Sequence, residues 1–137
     1  MNWTCKRPKT GDIIRTKVSF YHHYGIFVNE NEIIQFGLPD DPGRPAEEIF
    51  VLSTNIDVFL SCGGELEVAE LNKNEKHKIR PAKEIVEIAK SKIGEGNYDI
   101  LHNNCEHFVN RCAFGENESN FLNNVRSKLR KKLNLDN

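Results

Sequence analysis

The chain carries one cysteine in a setting where a thiol can become a nucleophile. Residues 103–110 read NNCEHFVN, so an asparagine pair precedes a run with apolar residues at helical spacing. Asparagine is favoured where helices begin, and Glu106 follows Asn103 by three residues, as in a capping box. Cys105 is therefore predicted in the first turn of a helix, where unpaired amides and the helix dipole favour thiolate. We expect the pKa of this thiol to lie near or below neutrality.

A base for this thiol is predicted in the first half of the chain. His22 and His23 open an alternating apolar segment that predicts a strand, and residues 32–36 predict its hairpin partner. With a loop of three residues between the strands, Gly25 lies opposite Gln35, and His23 lies diagonal to Gln35 on one face. A loop of two residues would place Gln35 on the other face. Contact between His23 and Gln35 therefore requires an odd loop.

The same residues also permit a purely structural interpretation. Cys105, Phe108, Val109 and Cys112 recur at the spacing of one helix face, so Cys105 could be a small core residue. The stripe nevertheless points Cys105 at the sheet, where a histidine from the strand would have to be. His107 follows Cys105 by two positions, roughly 200° around a helix, and is a poor candidate for the base.

A zinc site is the other chemistry that this region suggests. Two histidines and two cysteines crowd within a short stretch: His102, Cys105, His107 and Cys112. Structural zinc sites pair their ligands at Cys-x2–4-Cys or His-x3–5-His spacing, and this stretch lacks such a pair of pairs. We therefore predict no zinc site, and the thiol chemistry described above needs neither a metal nor an organic cofactor.

Composition predicts one domain in a reducing compartment. The chain has 137 residues, of which 38% are hydrophobic, and its net charge of −1 provides no field that would select nucleic acid. The first residues lack the apolar stretch of a secretory signal, and no apolar run approaches the length needed to span a bilayer. A cytoplasmic location is the resulting expectation, with the four cysteines as thiols.

The elements that must position the cysteine and the histidine sort into strands followed by helices. Strands are predicted at Ile13–Val18, Ile49–Leu52, Ile56–Leu60 and Leu66–Glu70, in addition to the hairpin. Pro81 and Gly94 bracket a helix that precedes the one with the cysteine. Residues 71–78 and those after Gly115 are rich in Asn and Lys, which indicates exposed connections. An α+β fold follows, with an antiparallel sheet packed against helices.

The end of the chain combines a basic and an apolar pattern. Leu122, Val125, Leu129 and Leu133 recur at helical spacing, and five basic residues accompany them: Arg126, Lys128, Arg130, Lys131 and Lys132. An amphipathic helix of this kind suits peripheral contact with a membrane. A solvated helix packed on the domain explains the same pattern.

Three segments together resemble a known family. The Pro8–Ile14 segment, the Tyr21–Tyr24 segment and the Asn104–Asn110 box occur in the order and spacing of the lecithin:retinol acyltransferase-like family. The chain is most similar to its HRAS-like suppressor branch of phospholipase/acyltransferases. The resemblance covers about residues 6–115, and the cysteine box is its specific part.

The resemblance implies a thiol enzyme with a circularly permuted papain-like fold, in which the nucleophile begins a helix. We accordingly expect a single catalytic domain over residues 1–115, with residues 116–137 as a basic amphipathic helix or tail. Cys105 would be the nucleophile, His23 the base and Gln35 the group that orients the imidazole. The branch usually carries a third histidine where this chain has Gln35, and an amide can orient an imidazole without bringing charge. The backbone or hydroxyl of Tyr21 is a candidate contributor to the oxyanion site.

The implied chemistry is transfer of an acyl group from a glycerophospholipid through a thioester, with water or another acceptor completing the reaction. Two other functions remain open at this point. A cysteine peptidase or amidase of the permuted papain type would use the same residues on peptide bonds. A catalytically inactive binding domain is also compatible with glutamine at position 35.

Overall fold

A computed structural model of the chain describes residues 1–40 and 43–115. Its centre is a six-stranded antiparallel sheet in the order β1-β6-β2-β3-β4-β5. The strands are β1 Asn2–Thr4, β2 Ile13–Val18, β3 Tyr21–Asn29, β4 Glu32–Phe36, β5 Val51–Thr54 and β6 Glu67–Glu70. The helices are α1 Ile56–Phe59, α2 Lys73–Lys78, α3 Ala82–Ser91 and α4 Cys105–Phe114, with a 3-10 turn at Ala46–Glu48. The predicted α+β class with an antiparallel sheet against helices is confirmed.

Alternating side chains of the sheet build two cores. Ile13, Ile26 and Ile34 belong to one face, which packs against the buried sides of α3 and α4. Ile14, Phe27 and Ile33 belong to the other face, which Phe59 of α1 covers. Successive strand residues point to opposite faces, so each central strand contributes to both cores. The near-continuous apolar character of β3 and β4 follows from burial on both sides.

The hairpin of β3 and β4 reaches the predicted register by a different route. Ile26 pairs with Ile34 and Phe27 with Ile33, but the last pair is Asn29 with Glu32. Two residues, not three, therefore connect the strands, and one extra residue in β3 forms a β-bulge. With a two-residue loop and no bulge, Gln35 would lie on the face opposite His23. The extra residue in β3 returns Gln35 to the face of His23. The prediction was right about the shared face and wrong about the loop.

The largest error of element type concerns the predicted strand at Ile56–Leu60, which is helical as α1. The Asn55 side chain accepts a hydrogen bond from Val58 N at 3.0 Å and begins the helix. Ile56, Phe59 and Leu60 then turn one face toward the second core. Tertiary burial of this face overrides the preference of Ile and Val for strands.

The remaining differences lie in short elements at the edges of the fold. The strand predicted at Ile49–Leu52 is displaced to Val51–Thr54. β1 and α2 were not predicted, and α2 begins with a capping box between Asn72 and Glu75 inside the stretch predicted as a connection. β6 and α3 confirm the predicted strand at Leu66–Glu70 and the helix after Pro81.

Gly25 of β3 lies where the second core has no room for a side chain. A Cβ atom there would approach Ile33 Cγ2 and Phe59 Cε1 to 2.9 Å each. We expect Gly25→Ala to lower the free energy of unfolding by about 1–3 kcal/mol, because the two neighbours must leave their packed positions. Urea denaturation measures this change.

Gly43→Ala is the matched control for this prediction, since nothing lies within 4 Å of a Cβ at Gly43. Its free energy of unfolding should stay within about 1 kcal/mol of the wild type. Equal denaturation midpoints for Gly25→Ala and the wild type would contradict the proposed close packing.

Candidate active site

His23 and Gln35 meet inside the sheet, as their shared face predicted. His23 lies opposite Thr16 of β2 and is 2% exposed, while Gln35 of β4 is fully buried. The two side chains contact through His23 Nε2 and Gln35 Oε1 at 2.5 Å. The ring of Phe59 covers the imidazole, with 5.3 Å between the ring centroids.

The contact with Gln35 determines the tautomer of a neutral His23 ring. An amide oxygen can only accept a hydrogen bond, so Nε2 must carry the hydrogen that it shares with Gln35 Oε1. Nδ1 then holds the lone pair of the neutral imidazole. The arrangement therefore prepares Nδ1 to accept a proton.

Cys105 is the first residue of α4, and the cap differs by one residue from the prediction. The Asn104 side chain, not that of Asn103, accepts from the amides of Glu106 and His107. His107 completes the capping box, since its Nδ1 accepts from Asn104 N at 3.2 Å. The capping box was predicted with the carboxylate of Glu106, but the imidazole of His107 takes that place. His107 therefore stabilises the start of α4.

The sulfur of Cys105 lies at an edge of β3. Phe27 exchanges backbone hydrogen bonds with Gly11 and Asp12 beside β2. Backbone groups alternate sides along a strand, so those of His22 and Tyr24 point away from β2, toward the β4 side. Pairing of β3 with β4 runs from Ile26 outward, which leaves the stretch at His22 and Tyr24 for α4.

Two observations place the thiol against this stretch. Cys105 Sγ lies 4.0 Å from the carbonyl oxygen of His22. A hydrogen bond from the Tyr24 amide to the sulfur favours the thiolate, as do those from the amides of Glu106 and Cys105. The helix start and the strand edge therefore present several N–H groups to one sulfur.

Burial opposes these amides at Cys105. The residue is 8% exposed, and burial raises the pKa of its thiol above the ordinary value despite the hydrogen bonds. The expectation of a pKa near or below neutrality is therefore wrong for the free protein. A helix start lowers the pKa of a thiol when the sulfur stays solvated. Here the loss of water raises the pKa by more than the amide hydrogen bonds lower it.

Cys105 and His23 line one pocket of about 310 Å³. Its lining combines polar residues around Tyr21–Tyr24 and Cys105 with a mainly apolar group: Phe36, Leu38, Ile49, Tyr98 and Ile100. Ile100 and Leu101 stand in the loop before α4 and are 67% and 75% exposed. Apolar surface therefore continues from the pocket onto the outside of the protein.

Tyr21 and His22 border the pocket in other roles. The Tyr21 hydroxyl donates to the carbonyl oxygen of Pro39 at 2.6 Å, and burial raises the pKa of this phenol to about 12. His22 lies 3.9 Å from a Glu67 carboxylate oxygen, and burial followed by the charge of Arg15 lowers its pKa. A role for Tyr21 at the oxyanion site stays a prediction.

Sequence reasoning missed two features of this site. The backbone edge at His22 and Tyr24 carries no signature in side-chain types. The amide nitrogen of Gln35 donates to the Thr54 hydroxyl, and Thr54 belonged to no motif. A hydroxyl diagonal to Gln35 could have been noticed only if the bounds of β5 had been known.

Several other expectations concern the rest of the chain. The basic tail with Arg126, Lys128, Arg130, Lys131 and Lys132 lies outside the described residues. Within residues 1–40 and 43–115, no helix has the length and apolar character to cross a membrane. The same residues contain no cluster of three or more metal-binding side chains.

A comparison with known proteins finds one matching family and several related proteins. A sequence model of the family "Lecithin retinol acyltransferase" matches residues 6–118. Lecithin retinol acyltransferase of Bos taurus is 29% identical, over 77% of this chain and 54% of its own length. Phospholipase A and acyltransferase 4 of Homo sapiens is 28% identical, over 81% and 73% respectively. The human phospholipase A and acyltransferase 3 is 27% identical, over 86% and 78%. The chain thus spans about half of the bovine relative.

Proposed function

Because this chain belongs to the lecithin retinol acyltransferase family, we propose that it is a cysteine-dependent acyltransferase or phospholipase acting through a thioester on Cys105. The fold would be the circularly permuted papain-like arrangement that the family resemblance implies. One observation carries the proposal: a helix-start cysteine shares a pocket with a buried histidine whose Nε2 is bound to an amide. A thiol, a base and a group that orients the base are the components that nucleophilic catalysis with general acid–base assistance requires.

In the first step, the proton of Cys105 moves to Nδ1 of His23 as the sulfur attacks the ester carbonyl carbon. The carbonyl electron pair moves to oxygen and gives a tetrahedral oxyanion. Collapse of this intermediate breaks the ester C–O bond, and the leaving alkoxide takes the proton from Nδ1. A lyso-lipid departs, and the acyl group remains on sulfur as a thioester.

The second step resolves the thioester. Water, an alcohol or an amine gives a proton to Nδ1 while its oxygen or nitrogen attacks the acyl carbon. The thiolate leaves, regains a proton from His23 and restores the starting site. Water as acceptor yields a free fatty acid, whereas another nucleophile yields an acylated product.

The oxyanion requires donors that already point at the reacting carbon. The amides of Cys105 and Tyr24 are the best candidates, because both already donate toward the sulfur. The carbonyl carbon must come within bonding distance of the same sulfur. The Tyr21 hydroxyl would first have to release Pro39 in order to contribute.

The pocket supports an apolar acyl chain as the group transferred. Several of its lining side chains are apolar; one of them, Ile100, is mostly exposed, as is its neighbour Leu101. Phe20, next to Tyr21 at the pocket, is fully exposed as well. Exposed apolar patches mark sites of contact with membranes or other proteins, or ligand grooves, and a membrane contact fits a lipid substrate. The proposed substrate is a glycerophospholipid, reached by peripheral contact with a membrane.

Incubation with a short-chain phosphatidylcholine tests this function. We expect an intact-mass gain equal to one acyl group, together with release of lyso-lipid and fatty acid. Peptide mapping should place the acyl group on Cys105 and leave Cys112 unmodified, since Cys112 is fully buried within the core.

Two results would overturn the lipid assignment. Acylation spread equally over Cys5 and Cys62, which are exposed, would indicate a non-enzymatic reaction. Absence of acyl-enzyme and of lyso-lipid, with preferential alkylation of Cys105 by iodoacetamide, would direct the search to peptide bonds instead. A Cys105 no more reactive than the exposed cysteines would support an inactive binding domain.

A further inference from the structure

The buried amide of Gln35 has a second partner besides His23. Its nitrogen, Nε2, donates to the Thr54 hydroxyl, and that hydroxyl in turn donates to the carbonyl oxygen of Asn55 at 3.3 Å. The hydrogen bonds therefore run in one direction from the imidazole to the backbone: His23 to Gln35, Gln35 to Thr54, and Thr54 to Asn55. Each donor in this series of three hydrogen bonds has an acceptor.

We propose that Thr54 is a positioning residue that holds the Gln35 amide with its oxygen toward His23, and through it selects the imidazole tautomer. The proposal rests on the function proposed above, because the tautomer matters only if His23 serves Cys105 as a base. It adds a residue from β5 to the site.

The direction of the amide matters because its two ends have nearly the same shape and opposite hydrogen-bonding character. If the amide of Gln35 turned over, its NH₂ group would face Nε2 of His23. Nε2 would then have to accept, and Nδ1 would carry the hydrogen. An imidazole in that state cannot take the proton of Cys105 at Nδ1.

Thr54 resists this inversion because its hydrogen is already directed at a carbonyl. With Asn55 O accepting from the hydroxyl, only the lone pairs of Thr54 Oγ1 remain toward Gln35. A turned amide would bring its oxygen against those lone pairs. Turning the amide would therefore require the Thr54 hydroxyl to give up its 3.3 Å contact with Asn55 O and rotate toward Gln35, so this contact favours the observed direction.

The fold explains why this residue comes from β5. Thr54 pairs with Ile33, so it lies diagonal to Gln35 on the same face of the sheet. The next residue, Asn55, caps α1, and Phe59 of α1 covers the His23 ring. The junction of β5 and α1 therefore supplies both the polar restraint and the apolar cover of the imidazole.

Thr54→Val tests the proposal because it keeps the shape of the side chain and removes the hydroxyl. We expect kcat on short-chain phosphatidylcholine to fall by about tenfold with KM unchanged, since a buried N–H of Gln35 is left without its acceptor. Alkylation of Cys105 by iodoacetamide, followed from about pH 6 to about pH 10, should lose rate mainly at the lower pH values. Thr54→Ser should restore both measurements to within about twofold.

Ser53→Ala is the matched control, because Ser53 is exposed on the opposite face of the same strand and contacts Glu32. It should match the wild type in both measurements. Wild-type kcat and an unchanged alkylation profile in Thr54→Val would overturn the proposal. If the wild type does not act on lipid but Thr54→Val still changes the alkylation profile, the positioning role stands and the lipid function fails.

A second measurement does not depend on the Thr54 variants. In Cys105→Ala, where no thiolate can hold a second proton on the ring, ¹⁵N NMR of neutral His23 should show hydrogen on Nε2. A ring with its hydrogen on Nδ1 would overturn the proposal even if every Thr54 variant failed to fold.

Discussion

Cys105→Ala is expected to abolish acyl-enzyme formation and to lower lipid turnover by a factor of about 10⁴ or more, the size of effect seen when a nucleophile is removed. The reason is that the pocket would retain its apolar wall and amides but would lose the atom that accepts the acyl group. Intact mass and lyso-lipid release, measured in the same reaction, check both parts of the expectation.

Two other cysteines provide the controls for this experiment. Cys62 is exposed, and Cys62→Ala should leave turnover within about twofold of the wild type. Cys112→Ala should lower the free energy of unfolding, since Cys112 is fully buried in α4, while the folded fraction still forms the acyl-enzyme. Lyso-lipid release that persists in Cys105→Ala would contradict the thioester mechanism.

His23→Asn is expected to lower kcat by about 10²- to 10⁴-fold, the usual contribution of a general base. Asparagine keeps a polar, uncharged side chain at this buried position, but it cannot accept a proton from the thiol. The loss should be larger than for any other histidine in the described part of the chain, because His23 combines burial in the pocket with the contact to Gln35.

The pH dependence of Cys105 alkylation tests whether His23 takes the proton of the thiol. Burial raises the pKa of the Cys105 thiol, so without a base its thiolate forms only as the pH rises above the ordinary thiol range. Alkylation of His23→Asn should therefore keep increasing at high pH. In the wild type, transfer of the proton to His23 should produce a plateau at lower pH.

His22→Asn separates the two adjacent histidines. The His22 side chain is 32% exposed and faces Glu67 across 3.9 Å, a contact of the kind that contributes little at a surface. We expect kcat to change by less than about fivefold. A larger loss in His22→Asn than in His23→Asn would show that the other histidine is the base.

Local sequence was enough to place Cys105 in the first turn of α4 and to show that His23 and Gln35 would share a face if the hairpin loop was odd. An asparagine before Cys105 caps a helix through its own side chain, which requires only neighbouring residues. Alternation along β3 and β4 places His23 and Gln35 on one face once the parity of the hairpin is known. The helix start depends on neighbouring residues alone, whereas the β-bulge in β3 is what put His23 and Gln35 on one face across a two-residue loop.

The error at Ile56–Phe59 shows where that reasoning ends. Its β-branched residues favour a strand, yet the segment is a helix because its apolar face covers the sheet beside Phe27 and Ile33. Four residues carry too weak an intrinsic preference to resist such packing. The bulge in β3 is similar, because the pairing of two strands decides which residue is extra.

The chemistry of the thiol depended on the tertiary structure most of all. The sequence by itself placed Cys105 in the first turn of a helix, and it placed His23 and Gln35 on one face only if the hairpin loop was odd. Only the fold decided that α4 begins against the edge of β3 at His22 and Tyr24, and that the sulfur is buried there. The physical reason is that loss of water around a thiol depends on every element packed over it, whereas a helix cap depends on near neighbours alone.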